Sequence, residues 1–196
     1  MADADRTTSR RAIVKALAIT SCVIFENEKL SCGEAVAAIV QTDQSVSLRR
    51  TPQGRRDSRF RYHNAEGFFR IVEHDHAQGR HDQLYRTGIV LQLGLSSHLF
   101  DVGFTDAWCA RHIGLDISRS LACANATGLG FDIPEFGLLA TSLSPYGKWR
   151  FARAEDGVED PPFTPVQVRT LTRALLDHVH HVTGHSRPRG WRACHG

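Results

Sequence analysis

The clearest hydrophobic pattern lies near the carboxyl end of the chain. Apolar residues within 168–182 recur at spacings of three and four, which is the period of one face of an amphipathic helix. Thr164 is a favourable cap, Pro165 suits the first helical turn, and Gly184 follows the last apolar position. The sequence therefore predicts a helix over residues 165–183, whose apolar seam is also a candidate surface for a homodimer.

Apolar spacing and capping residues near the amino end predict three shorter helices. Ser31 and Glu34 form a capping box ahead of the second of them, because each side chain can bond the backbone N–H of the other. Pro52 and Gly54 are expected to stop the third. The three predicted helices span about residues 8–24, 32–41 and 44–50.

The period changes after residue 57. Polar and aromatic residues alternate over 58–63, residues 64–67 have the composition of a turn, and residues 68–72 are rich in aromatic and β-branched side chains. Alternation with a period of two is typical of a half-buried strand. The sequence therefore predicts a β-hairpin over about residues 58–72.

Three helices followed by a hairpin is the layout of a winged helix-turn-helix, in which the third helix enters the DNA major groove. The predicted fold is mainly α with a small β-hairpin, that is, α+β. Residues 1–75 would form a winged-helix-like module, residues 76–186 a helical domain, and residues 187–196 a basic tail. Within the helical domain, the sequence predicts helices over about 83–95, 100–113 and 116–126, a short apolar segment over 136–143 and a lone strand over 148–151.

Composition places the chain among ordinary globular proteins. It has 196 residues, a hydrophobic share of 41% and a net charge of +3, which excludes disorder throughout and gives little long-range field. No apolar run reaches the length of about 18 residues that a transmembrane helix needs, so no such helix is expected. Any signal for a charged partner must therefore come from local clustering of charge.

Basic residues are concentrated in residues 49–61, where six arginines accompany a single acid, Asp57. Guanidinium groups suit phosphate and base-edge recognition better than lysine ammonium groups do. In the winged layout, Arg49 or Arg50 could pair with a guanine edge while the others neutralise phosphates. The candidate residues are Arg49, Arg50, Arg55, Arg56, Arg59 and Arg61.

This cluster favours a nucleic-acid-binding protein that acts in transcription regulation, with double-stranded DNA as its partner. The alternative is an arginine-rich loop that faces water or pairs with nearby acids. Those acids would be Glu66, Glu73, Asp75 and Asp82.

Eleven histidines form a second candidate site, for zinc or another divalent transition metal. Histidines three and four residues apart on a helix can bridge a metal ion, but the sequence contains no recognised metal motif. An exposed polar helix face is the alternative. The candidate ligands are His74, His76, His81, His178, His181 and His185.

No nucleophile elbow or phosphate loop is present, so the sequence predicts no catalytic residue, and a non-catalytic protein-interaction module is a further alternative.

Five widely spaced cysteines without a Cys-x-x-Cys pair favour a reducing, cytoplasmic compartment. Residues 9–15, with paired arginines ahead of an apolar run, resemble a twin-arginine export signal, and an exported metalloprotein is the alternative.

Overall fold

The computed structural model of the protein describes residues 48–74, 79–151 and 160–188. These residues form six α-helices and one short 3-10 helix, and no β-strand occurs among them. The helices predicted over 8–24 and 32–41 lie outside the described residues. The α-helices are α1 (Pro52–His74), α2 (Arg80–Val102), α3 (Asp106–His112), α4 (Ile117–Ala126), α5 (Pro134–Leu143) and α6 (Pro165–Thr183), and the 3-10 helix is Tyr146–Trp149.

The β-hairpin predicted over 58–72 is wrong, because this stretch lies inside the continuous helix α1. Its buried apolar residues, Tyr62, Ala65, Phe69 and Val72, are three or four positions apart and pass without a break through the predicted turn. The alternation over 58–63 covers fewer than two helical turns, so it does not distinguish a strand from a helix. The winged-helix-like layout of the first 75 residues is therefore also wrong.

Pro52 begins α1 rather than stopping a helix. The Thr51 hydroxyl accepts a hydrogen bond from the backbone N–H of Gly54, 2.9 Å away, which is the contact of an amino-terminal cap. Proline fits this position because its missing N–H would have no helical partner there. The helix predicted over 44–50 is absent from residues 48–50, and its remainder lies outside the described residues.

Helices α1 and α2 form a long antiparallel pair, and α6 packs against both. The leucines of α2 and the seam of α6 meet in the core, where Leu91, Leu95, Leu99, Leu175 and Val179 are fully buried. The helix predicted over 165–183 is thus confirmed in position and ends, and its apolar seam is occupied within the chain. None of the helices in the described part of the chain is long and apolar enough to cross a membrane.

A single helix predicted over 100–113 is divided in two by Gly103. This residue has φ +115 and caps the end of α2, in a conformation that favours glycine. A Cβ at this position would lie 2.6 Å from the backbone nitrogen of Arg49, so the missing side chain also lets the chain before α1 pass over the end of α2. The helix predicted over 116–126 is confirmed as α4, and Asp116 caps its start, since the Asp116 carboxylate accepts from the backbone N–H of Arg119 at 2.9 Å.

The lone strand predicted over 148–151 is also wrong. The Tyr146–Trp149 segment is a 3-10 helix that packs against α2, with the Trp149 ring 5.6 Å from that of His81. In a strand Trp149 and Phe151 would face the same side. Here Trp149 is buried and Phe151 is 78% exposed, because the chain bends between them.

Replacing Gly67 with alanine distinguishes the helix from the predicted hairpin. Gly67 lies in the middle of α1, and an added Cβ would meet no atom within 4 Å. Alanine is therefore expected to stabilise the protein by about 0.5–1 kcal/mol, because glycine loses more conformational freedom in a helix. Chemical unfolding of the wild type and Gly67→Ala measures this difference. A loss of stability would indicate a turn at this position.

Candidate nucleic-acid interface

The six arginines of residues 49–61 lie at the amino-terminal end of α1, and the structure divides them into two groups of three. Arg50 and Arg55 pair with Asp101 at the end of α2, with nitrogen–oxygen distances of 3.2 and 2.6 Å. Arg61 pairs with Asp106 in the first turn of α3, at 2.7 Å. These three arginines hold α1 against the α2–α3 junction.

Asp101 explains why two arginines are needed at this point. Its side chain is only 2% exposed, and a buried carboxylate is unfavourable unless it is paired. Two of the acids that sequence proximity suggested have other partners: Glu66 pairs with Arg173 and Asp82 with Arg86. Asp75 lies outside the described residues. The actual partners are 45 to 51 residues away along the chain, and the antiparallel α1–α2 pair brings them close.

The other three arginines are exposed, and none has a carboxylate partner among the described residues. Arg49 precedes α1, and Arg56 and Arg59 lie three apart in its second and third turns. Arg56 donates a hydrogen bond to the side-chain oxygen of Gln53 at 2.7 Å. No acid occupies the first turn of α1, so the partial positive charge of the helix amino terminus adds to that of the arginines.

Phe60 is the functional candidate that the sequence analysis missed. It lies four residues after Arg56, on the same side of α1, and is 66% exposed. The predicted hairpin had treated it as one position of an alternating strand. The signal that could have identified it is an aromatic residue with four arginines within six positions along the chain.

A groove of about 640 Å³ runs beside Phe60, between α1 and the α2–α3 junction. Phe104 and Phe100 lie on the side of α2 and α3, and the Arg61 guanidinium stacks over the Phe100 ring at 5.2 Å. The polar lining residues include Asp57, Asn64 and Asp106. The groove therefore combines an aromatic wall with hydrogen-bonding and acidic groups.

A serine–histidine contact lies behind this surface. His185 Nε2 is 2.6 Å from Ser58 Oγ, and the Ser58 hydroxyl donates to the Ser97 carbonyl at 2.6 Å. Burial, together with the nearby Arg55, lowers the pKa of His185 to about 4, so the ring is neutral at pH 7. Both members are buried, so the pair joins α6 to α1 and α2 and offers no exposed nucleophile.

The structure does not bring the six predicted metal ligands together. His178 donates a hydrogen bond from Nε2 to the Leu129 carbonyl at 2.7 Å, and His185 contacts Ser58 as described above. His76 lies outside the described residues. Within the described ranges, no group of three or more His, Cys, Asp or Glu is placed to hold a metal ion. The other candidates are His74 at the end of α1, His81 at the start of α2 and His181 near the end of α6.

Comparison of the chain with protein-family models, with curated proteins and with solved structures found no match. A function must therefore be inferred from the chemistry of the surface. At the amino-terminal end of α1, that chemistry consists of exposed guanidinium groups, an exposed aromatic ring and an adjacent groove. Guanidinium groups bind phosphate, and aromatic rings stack on nucleobases.

Proposed function

We propose that the protein binds nucleic acid, and that Arg49, Arg56 and Arg59 contact its phosphates. The observation that carries this proposal is that these three guanidinium groups are exposed and have no carboxylate partner in the described part of the chain. An arginine already bound to a carboxylate would have to exchange that partner for a phosphate. These three can bind a phosphate without such an exchange, in the bidentate geometry that guanidinium favours.

The distribution of charge supports the same surface. The six arginines at this end face three acids, namely Asp57, Asp101 and Asp106. These six arginines and three aspartates together carry a net charge of +3, which equals that of the whole chain, so the remaining acidic and basic residues balance in number. A polyanion is therefore attracted to this end of the molecule, and at physiological salt the attraction extends over about 8 Å.

Exchanging Arg56 and Arg59 for glutamine tests the proposal. Three phosphate contacts predict that the logarithm of the affinity falls with the logarithm of salt concentration with a slope of about −2 on a single strand. Arg56→Gln/Arg59→Gln is expected to reduce that slope to about −0.7 and to weaken binding at low salt at least tenfold. Fluorescence anisotropy of labelled oligonucleotides over a salt series measures both quantities.

Arg150→Gln/Arg169→Gln is the matched control. Arg150 follows the 3-10 helix that packs beside the start of α2, and Arg169 lies near the start of α6. Arg173 contacts Glu66, and His185, just after α6, contacts Ser58, so the start of α6 lies far from the amino-terminal end of α1. Both control arginines therefore lie at the opposite end of the antiparallel helices from the arginine cluster. The control should bind as the wild type does. Absence of binding to any nucleic acid at low salt, or an equal loss in the control, would refute the proposal.

A further inference from the structure

The groove beside Phe60 has a chemistry that phosphate binding alone does not use. We infer that the nucleic acid is single-stranded and that this groove receives one of its unstacked bases, with Phe60 as the stacking surface and Asn64 as the hydrogen-bonding partner. This inference rests on the proposed function, because the arginines must hold the phosphates of the same strand. It adds that the nucleic acid is single-stranded and that one of its bases enters the groove.

Phe60 provides the first reason. Its ring is 66% exposed, although an aromatic ring of this size is usually buried in a core or an interface. Arg59 is its neighbour in sequence and Arg56 lies one helical turn earlier, so a base stacked on Phe60 would have its phosphates within reach of guanidinium groups. Aromatic stacking combined with nearby cations is the general mode of single-strand binding.

The distribution of charge around Phe60 provides the second reason. Asp57, Asp106 and Arg61 line the groove, and Arg61 pairs with Asp106, whereas Arg56 and Arg59 are not among the lining residues. Asp57 has no cationic partner in the described part of the chain, so it disfavours a phosphate in the groove, while both carboxylates can accept hydrogen bonds from a neutral base. Phosphates would therefore lie on the arginine side of Phe60 and the base on the groove side.

Asn64 provides the third reason. Its side-chain amide lines the groove one helical turn after Phe60, about 6 Å further along the helix axis. It has no side-chain hydrogen bond to any other described residue, whereas Gln53 is already bonded to Asp57 and Arg56. An amide offers a donor and an acceptor side by side, which matches the edge of a base. In a duplex the bases are stacked and paired, so only a splayed base can enter the groove in this way.

The test compares three ligands with the same sequence length of about 12 nucleotides: a single strand, an abasic strand with the same phosphates, and a duplex. The affinity for the single strand should be at least about tenfold higher than that for the abasic strand. Phe60→Leu should reduce single-strand affinity to that of the abasic strand and leave abasic binding unchanged. Asn64→Ala should reduce the difference in affinity between strands that carry different bases.

Phe68→Leu is the matched control, because Phe68 is an exposed phenylalanine two turns further along α1 and does not line the groove. Its affinity for the single strand should equal that of the wild type. If all three ligands bind equally and Arg56→Gln/Arg59→Gln weakens each of them, the inferred base site is refuted while the phosphate surface stands. If none of the ligands binds, the proposed function itself fails.

Discussion

Arg173→Met is expected to destabilise the protein by about 3–5 kcal/mol at neutral pH. Arg173 on α6 donates two hydrogen bonds to the carboxylate of Glu66 on α1, at 2.8 and 2.6 Å. Glu66 is fully buried, and its carboxylate also accepts from the Tyr62 hydroxyl at 2.6 Å. Removal of the guanidinium leaves a buried carboxylate without its counter-charge, which is the costly way to break such a pair.

The pH dependence identifies the cause of this loss. Burial favours the neutral carboxyl of Glu66, but the hydrogen bonds from Arg173 and Tyr62 outweigh it and hold the pKa of Glu66 below its ordinary value. The contribution of Glu66 to stability is therefore present above the pKa of the unfolded chain and is lost as the pH falls through the folded pKa. Without Arg173, burial is expected to raise the pKa of Glu66, so the deficit of the variant should be larger at pH 8 than at pH 5.

Urea unfolding of both proteins at several pH values measures this difference. The comparison must be between variant and wild type, because His98 and His185, whose pKa values burial lowers to about 4, titrate in both. The double variant Glu66→Gln/Arg173→Met removes the isolated charge and should recover part of the stability. Arg169→Met, one turn earlier on α6, should change it by less than about 0.5 kcal/mol. A deficit that does not change with pH would contradict this account.

Trp149→Ala is expected to destabilise the protein by about 3 kcal/mol, near the lower end of the range for large aromatic residues. Trp149 is only 1% exposed and fills the contact between the 3-10 helix and α2. Its indole N–H has no hydrogen-bond partner in the described part of the chain. Removing that unsatisfied donor offsets part of the lost burial, which is why the lower end is expected.

Phe151→Ala is the control for this prediction. Phe151 is two residues further on and 78% exposed, so its removal should change stability by less than about 0.5 kcal/mol. Thermal or urea unfolding of the two variants measures the contrast. Similar effects of the two substitutions would indicate that both side chains face the same side, as in the strand that the sequence predicted.

Two Thr-Pro pairs show how far local sequence could be interpreted. Thr164 and Pro165 were recognised as the start of a helix, and α6 begins there. Thr51 and Pro52 have the same chemistry, but the sequence predicts that Pro52 stops a preceding helix, whereas α1 begins there. The difference arose from the context: a long seam with a helical period follows Pro165, while short-range alternation follows Pro52 and obscures the helical period.

The candidate site was predicted in part. The arginine cluster, and the proposal that it binds phosphate, follow from residue type and density alone. Which arginines are available does not follow from sequence, because Asp101 and Asp106 become partners only when α1 and α2 pack against each other. The exposure of Phe60 and the groove beside it are likewise products of that packing.

The sequence by itself determined the helical carboxyl-terminal segment, several helix caps and the concentration of guanidinium groups, because each depends on residues close together along the chain. Tertiary structure decided that residues 58–72 are helical, since the buried side of α1 gains its stability from α2 and α6. It also decided which arginines have a carboxylate partner, because a charge can be neutralised only by groups that folding brings within a few ångströms.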